Sequence, residues 1–185
     1  MNVPWWLLAL VGVFALIGLF LRGLAGRVDR LNLRVEAARD ALDAQLVRRA
    51  VAVTELANSS LLDPASALLL AGAAHDAQTA PPAEREAAES ALSQDLRAVL
   101  DDAGAAEELV DEPAGQELLA ELDRAADRVV LARRFYNEAV RMCRELRRRP
   151  LVRTLRLAGR SLEPTTFEMD DAPPAALSGR RIPGA

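Results

Sequence analysis

The sequence predicts an all-α protein, with a single N-terminal transmembrane helix followed by four further helices. Three observations carry that prediction. Half of the residues are hydrophobic (51%) but only 4% are aromatic. The apolar content is Ala, Leu and Val, and Ala and Leu are strong helix formers. The first 21 residues hold no charged side chain. Beyond them, apolar residues recur three, four and seven apart, the spacing of one helix face.

At 185 residues the chain has room for one domain with an anchor and a tail. The expected division is 1–24 as anchor, 25–160 as a helical region with a basic C-terminal end, and 161–185 as a mostly disordered tail. The net charge of −4 argues against nucleic-acid binding. All 23 basic residues are Arg. The single cysteine, Cys143, excludes an intrachain disulfide and fits a reducing compartment. One His (His75) and one Cys cannot make a zinc site alone. There is no HExxH, GxSxG or phosphate loop. The expectation is a non-enzymatic protein with no cofactor and no metal. An enzyme or enzyme subunit is the alternative, revived by loss of an activity in His75→Ala with folding intact.

The anchor is "PWWLLALVGVFALIGLFL", Pro4 to Leu21. As a helix it spans about 27 Å, close to the hydrocarbon thickness of a bilayer. Trp5 and Trp6 stand where amphipathic rings favour the headgroup level. The rival is a cleaved signal peptide, which wants positive charge before its apolar run. Here Arg22, Arg27, Arg30 and Arg34 follow the run, opposed by Asp29. The positive-inside rule then puts the N-terminus outside and the rest in the cytoplasm, as a single-pass protein of the cell membrane. Gly12, Ala15 and Gly18 could let two spans self-associate, although they do not form GxxxG.

The first helix past the anchor runs from about Ala25 to Asn58, with Leu31, Val35, Ala38, Leu42, Leu46, Val53 and Leu56 on one stripe. Asp63 suits an N-cap and Pro64 the first position of the next helix, which ends near Gln78 before "TAPP". A third helix follows from about Pro82 to Asp102, with Ala88, Ala91, Leu92, Leu96 and Val99 towards the core. The acidic segment from Asp101 to Pro113 does not carry the spacing of an EF-hand loop and reads as a solvated loop. In the last long helix, Leu118, Leu122, Ala125, Val129, Ala132, Tyr136, Ala139, Cys143 and Leu146 form a heptad seam. Tyr136 is then a core residue whose hydroxyl needs a partner, and Cys143 a small buried hydrophobe. Phe135 flanks the seam and Arg134 faces water. Pro150 ends the helix. "LVRTLRLAGR" beyond it is either a short amphipathic helix or an irregular wrap, and the Pro/Gly/Ala-rich segment from about Asp170 is expected to be disordered.

"LARRFYNEAVR", Leu131 to Arg141, closely resembles the signature of the LemA family, bacterial proteins with an N-terminal membrane anchor and a helical bundle. "LRVEAARDALDAQLVRRA", "AESALSQDLRAVL" and "EPTTFEMDD" are similar, in order, to that family's first soluble helix, third helix and short Phe-Glu ending. The resemblance implies an antiparallel four-helix bundle and no catalytic residues. The second helix is more apolar than the family pattern, and its usual Gly-Tyr and His-Glu features do not fall at matching positions, so no role passes to His75. The stretch after the last helix is arginine-rich where the family has a glycine-rich apolar one.

In an up-down-up-down bundle the C-terminal end of the last helix returns to the membrane. That end holds Arg141, Arg144, Arg147, Arg148, Arg149, Arg153, Arg156 and Arg160, opposed by Glu145. These are the candidate contacts to an anionic leaflet, each worth roughly 1 kcal/mol near the surface. The leading functional expectation is a scaffold or adaptor at the cytoplasmic membrane face, with an unnamed protein partner. Candidate partner contacts are Arg48, Arg49, Arg133 and Arg134, charged and off the apolar stripes. The alternative is a lipid-binding membrane organiser acting through the arginine-rich end.

Overall fold

The structure, a computed structural model, describes residues 5–101, 109–155 and 163–178. The described residues form helices and no strand. In chain order these are α1 (Trp5–Ala57), α2 (Pro64–Thr79), α3 (Arg85–Leu100), α4 (Pro113–Arg148), α5 (Pro150–Thr154) and α6 (Ala175–Ser178). The chain divides into two compact units, residues 1–38 with 136–166 and residues 39–135 with 167–185.

The expected boundary between anchor and first helix is not a break, because α1 is one helix of 53 residues. Gly23 and Gly26 fall inside it. A glycine costs about 1 kcal/mol against alanine in a helix interior, too little to interrupt so long a run of good helix formers. In the first unit, the residues of α1 from Leu10 to Phe20 include eight large apolar side chains that are 48–68% exposed. α1, which contains this stretch, is a helix long and apolar enough to cross a membrane. Burial begins at Leu24. Leu24, Val28, Leu146 of α4 and Val152 of α5 form a small core, with Leu31 against it. The segment after Pro150 is therefore a short helix as far as Thr154. It buries Val152, 1% exposed, against Leu24, Val28 and Leu146.

The second unit holds the main core. Ala50, Val53 and Leu56 of α1, Leu70, Ala74 and Ala77 of α2, Leu92, Leu96 and Leu100 of α3, and Leu119, Leu122 and Ala125 of α4 pack into one cluster. Each fully buried Leu stabilises by roughly 1.5–3 kcal/mol through apolar area removed from water. The seam expected on the last helix is buried at Leu122, Ala125, Val129, Tyr136, Ala139, Cys143 and Leu146. Ala91, expected on the core face of α3, is exposed instead.

The caps explain the boundaries. Asp63 Oδ1 accepts from the backbone N–H groups of Ala65 (2.9 Å) and Ser66 (3.1 Å) at the start of α2. Hydrogen bonding from the Ser66 side chain, together with those backbone bonds, holds its carboxyl below the ordinary value. α3 begins at Arg85 rather than Pro82, because Pro82 to Glu84 form a turn, with the Glu84 N–H bonded to the Pro81 carbonyl at 2.9 Å. Pro113 opens α4. Gly115 just inside it lies so close to the chain before the helix that an added Cβ would sit 2.2 Å from the Leu109 carbonyl oxygen.

The tail departs from the expected disorder over residues 163–178. In the second unit Leu177 is 1% exposed and joins the main core. Asp170 pairs with Arg97, and Asp171 Oδ2 accepts from Arg133 Nη2 at 2.7 Å. The Ala175 N–H bonds Asp101 Oδ1 at 2.6 Å. Pro164, Pro173 and Pro174 lower the helical tendency of this stretch, but two aspartates and one leucine suffice to dock it. Residues 179–185 and 156–162 lie outside the described residues, and so do Asp102, Glu107 and Glu108 of the acidic segment.

Candidate functional site

The arginine-rich end of α4 belongs to the first unit, and its arginines separate into two kinds. Arg144 Nε donates to the Pro164 carbonyl at 2.8 Å and lies 3.5 Å from Glu163. Arg147 Nη2 donates to Asn32 Oδ1 at 3.2 Å. Both are half-buried. Their guanidiniums hold neighbouring chain in place, so they leave the set of free surface contacts expected from the sequence. Arg141 pairs with Glu138 one turn back. Arg148, Arg149 and Arg153 are exposed and their guanidiniums have no partner among the described residues. Arg156 and Arg160 lie outside the described residues.

The same unit shows what Tyr136 and Cys143 do. The Tyr136 hydroxyl donates to the Thr165 carbonyl at 2.7 Å. With Arg144 it fastens residues 163–166 along α4. The Cys143 thiol is 1% exposed and lies 3.3 Å from Asn32 Oδ1. Tyr136 and Cys143 are thus buried seam residues with local partners. Phe135 is 62% exposed, an apolar surface residue beside the tyrosine.

Two grooves open in the first unit. One, of about 460 Å³, is lined by Arg27, Arg30 and Arg34 of α1, Arg149, and Glu145 and Met142 of α4. The other, of about 410 Å³, is lined by Leu19, Phe20, Gly23 and Leu24 of α1 with Pro150 and Leu151. Arg27 and Arg149 line both.

In the second unit, the four expected partner contacts also separate. Arg48 and Arg134 are exposed. Arg49 is not a surface residue at all, being 3% exposed. Its Nη2 donates to Glu89 Oε2 at 2.6 Å and to the Glu89 carbonyl at 3.0 Å, and its Nη1 to Ser93 Oγ at 2.9 Å. Arg48 and Arg49 are adjacent on a helix and so point about 100° apart, which turns one outward and the other towards α3. Burial pushes the Glu89 carboxyl up, against the opposing pull of Arg49 and Arg85. Arg133 is half-buried and committed to Asp171 and Glu168. Periodicity could not show either commitment, because the partners lie 40 and 38 residues away.

A surface that sequence reasoning missed lies on α2 and α3. Leu68 is 76% exposed and Leu69 is 45% exposed. They stand beside a groove of about 820 Å³, floored by small residues such as Gly72, Ala73, Ala88 and Ala91. Asp76, Glu84 and Asp95 make its rim acidic. The signal was present in "ALLLAG". Three successive leucines cannot all face one core across 3.6 residues per turn; Leu70 alone is buried. The surplus of apolar residues in this helix is that signal.

Among the described residues, no group of three or more His, Cys, Asp or Glu side chains is placed to hold a metal ion. No protein-family model, no curated protein and no solved structure matches the chain.

Proposed function

We propose that this chain is a single-span membrane protein of the LemA type, non-enzymatic, that scaffolds or adapts other proteins at the cytoplasmic face. In this reading α1 to α4 form an antiparallel four-helix bundle, the N-terminus is outside, and the bundle is cytoplasmic. The apolar run of α1 supports the span: its large side chains are exposed from Leu10 to Phe20, whereas a core helix of a soluble protein would bury one face. Arg22, Arg27, Arg30 and Arg34 after the run support the orientation.

The observation that carries the adaptor role is the groove of α2 and α3, with Leu68 and Leu69 at its edge and carboxylates on its rim. A partner helix with an apolar stripe and basic flanks complements it, the stripe seating on the small-residue floor and its charges meeting Asp76, Glu84 and Asp95. The test is cross-linking in native membranes, followed by affinity purification of the full-length protein and mass spectrometry, with residues 1–30 as control. A reproducible partner cross-linked to the α2–α3 face, and lost in Leu68→Glu/Leu69→Glu, is the expected result. Recovery of lipid and the chain alone would move the assignment to a membrane organiser.

A further inference from the structure

We propose that the two grooves of the first unit are one binding site for an anionic phospholipid, with the headgroup phosphate among Arg27, Arg30, Arg34 and Arg149 and an acyl chain against Leu19, Phe20 and Leu24. The site rests on the reading of α1 as a membrane span.

The arginines are arranged for it. Arg27, Arg30 and Arg34 are spaced three and four apart, so they share one face of α1. Arg149, at the junction of α4 and α5, meets them across the groove of about 460 Å³. Four guanidiniums face a single carboxylate there, Glu145. All four are exposed and none has a side-chain partner among the described residues. This sets them apart from Arg144 and Arg147, whose guanidiniums already hold a carbonyl and an amide oxygen. Unpaired guanidiniums converging on one groove are matched to the several oxygens of a phosphate.

The second groove decides which phosphate. Its lining turns apolar toward the N-terminal side, with Leu19, Phe20, Leu24 and Leu151. It shares Arg27 and Arg149 with the basic groove. From there the exposed apolar surface of α1 continues through Ile17 and Leu16 to Leu10. A ligand that fills both grooves must be charged at one end and apolar at the other. Inorganic phosphate or a soluble phosphate ester would leave the apolar groove empty. A phospholipid places its phosphate at the level where the span ends and arginines begin, which is where bilayer headgroups lie.

The experiment uses the full chain reconstituted in phosphatidylcholine membranes containing phosphatidylglycerol. Resistance of the reconstituted protein to alkaline extraction tests the span separately. Lipid retained by the protein is then read by native mass spectrometry, with the two lipids in competition. Retention of phosphatidylglycerol over phosphatidylcholine is expected to fall by roughly tenfold or more in Arg27→Gln/Arg30→Gln/Arg34→Gln/Arg149→Gln. It should stay near the native value in Arg141→Gln/Arg148→Gln/Arg153→Gln, which removes charge outside the groove. Leu19→Ser/Leu151→Ser, at two exposed residues that line the apolar groove, is expected to weaken retention with every arginine in place. Equal losses in the two arginine variants would overturn the site and leave general charge attraction. Displacement of the lipid by millimolar-range glycerol phosphate would overturn the lipid assignment in favour of a soluble anion. A protein that resists extraction but shows no lipid preference refutes the site alone; a protein that is extracted refutes the span.

Discussion

Arg49→Met should destabilise the second unit far more than an ordinary surface arginine substitution would. Arg49 and Glu89 are 3% and 1% exposed, and their side chains meet at 2.6 Å. Removing the guanidinium leaves the Glu89 carboxylate buried, with Arg85 Nε at 3.9 Å as its remaining ion-pair partner. It also takes away the donor that Ser93 Oγ receives at 2.9 Å. Breaking one side of a buried pair costs about 3–5 kcal/mol, while replacing both sides with apolar residues of similar volume is often neutral or stabilising. Arg49→Met and Glu89→Gln are each expected near the lower end of that range, and Arg49→Met/Glu89→Met within about 1 kcal/mol of the native chain. The pH dependence gives an independent check. Glu89 is raised from the ordinary 4.5 because burial outweighs Arg49 and Arg85. A carboxyl raised on folding binds its proton more tightly in the native state, so its contribution is present below 4.5 and is lost as pH rises through the raised folded value. Without Arg49 the carboxyl is raised further, so the deficit of Arg49→Met should be larger at neutral pH than in mild acid. The assay is denaturant unfolding of the full chain in detergent, followed by helical circular dichroism across that pH range. Single variants losing less than about 1 kcal/mol, with no pH dependence, would show that the pair is solvated and the reasoning wrong.

Leu177→Ala should cost about 2–4 kcal/mol, because Leu177 is 1% exposed in the main core; a negligible change in the denaturation midpoint would mean that the tail is not packed. The Asp170 carboxyl is held below its ordinary 3.8, chiefly by the hydrogen bond from Arg97. Its contribution is therefore present above 3.8 and lost as pH falls through the depressed folded value. Hydrogen-exchange protection of residues 167–178, corrected for intrinsic rate, should fall only in strong acid, and Asp170→Asn should show reduced protection without that acid step. Gly115→Ala should destabilise the chain even though alanine is the better helix former by about 1 kcal/mol, since the new Cβ would sit 2.2 Å from a backbone oxygen. Thermal unfolding decides it, and a rise in Tm would show that the Leu109 backbone yields freely.

Much of the helical layout was legible because it rests on local chemistry. An apolar run without charge, a four-three alternation, and an aspartate before a proline each act over a few residues. α2 accordingly spans Pro64–Thr79, close to its expected bounds, and the α4 seam is buried at Tyr136 and Cys143 as the spacing requires. The choice between a charged residue that meets water and one that meets a partner was not legible. Arg48 and Arg49 are the same residue type on adjacent positions, yet one is exposed and the other is buried on Glu89. The same holds for Arg134 against Arg133, and for Arg149 against Arg147. A guanidinium's fate depends on whether an acceptor from a distant segment comes within about 3 Å.

The sequence by itself determined that the chain is helical, where α2 caps, and that its first apolar stretch is long enough for a bilayer, because propensity, periodicity and hydropathy are summed over neighbours along the chain. Tertiary structure alone decided that Leu68 and Leu69 stand at an open groove, that Asp170 and Asp171 dock the tail, and that three arginines of α1 and one at the α4–α5 junction share one groove. Those features are distances between segments tens of residues apart, and the free energy that selects them, burial against desolvation, exists only once the segments meet.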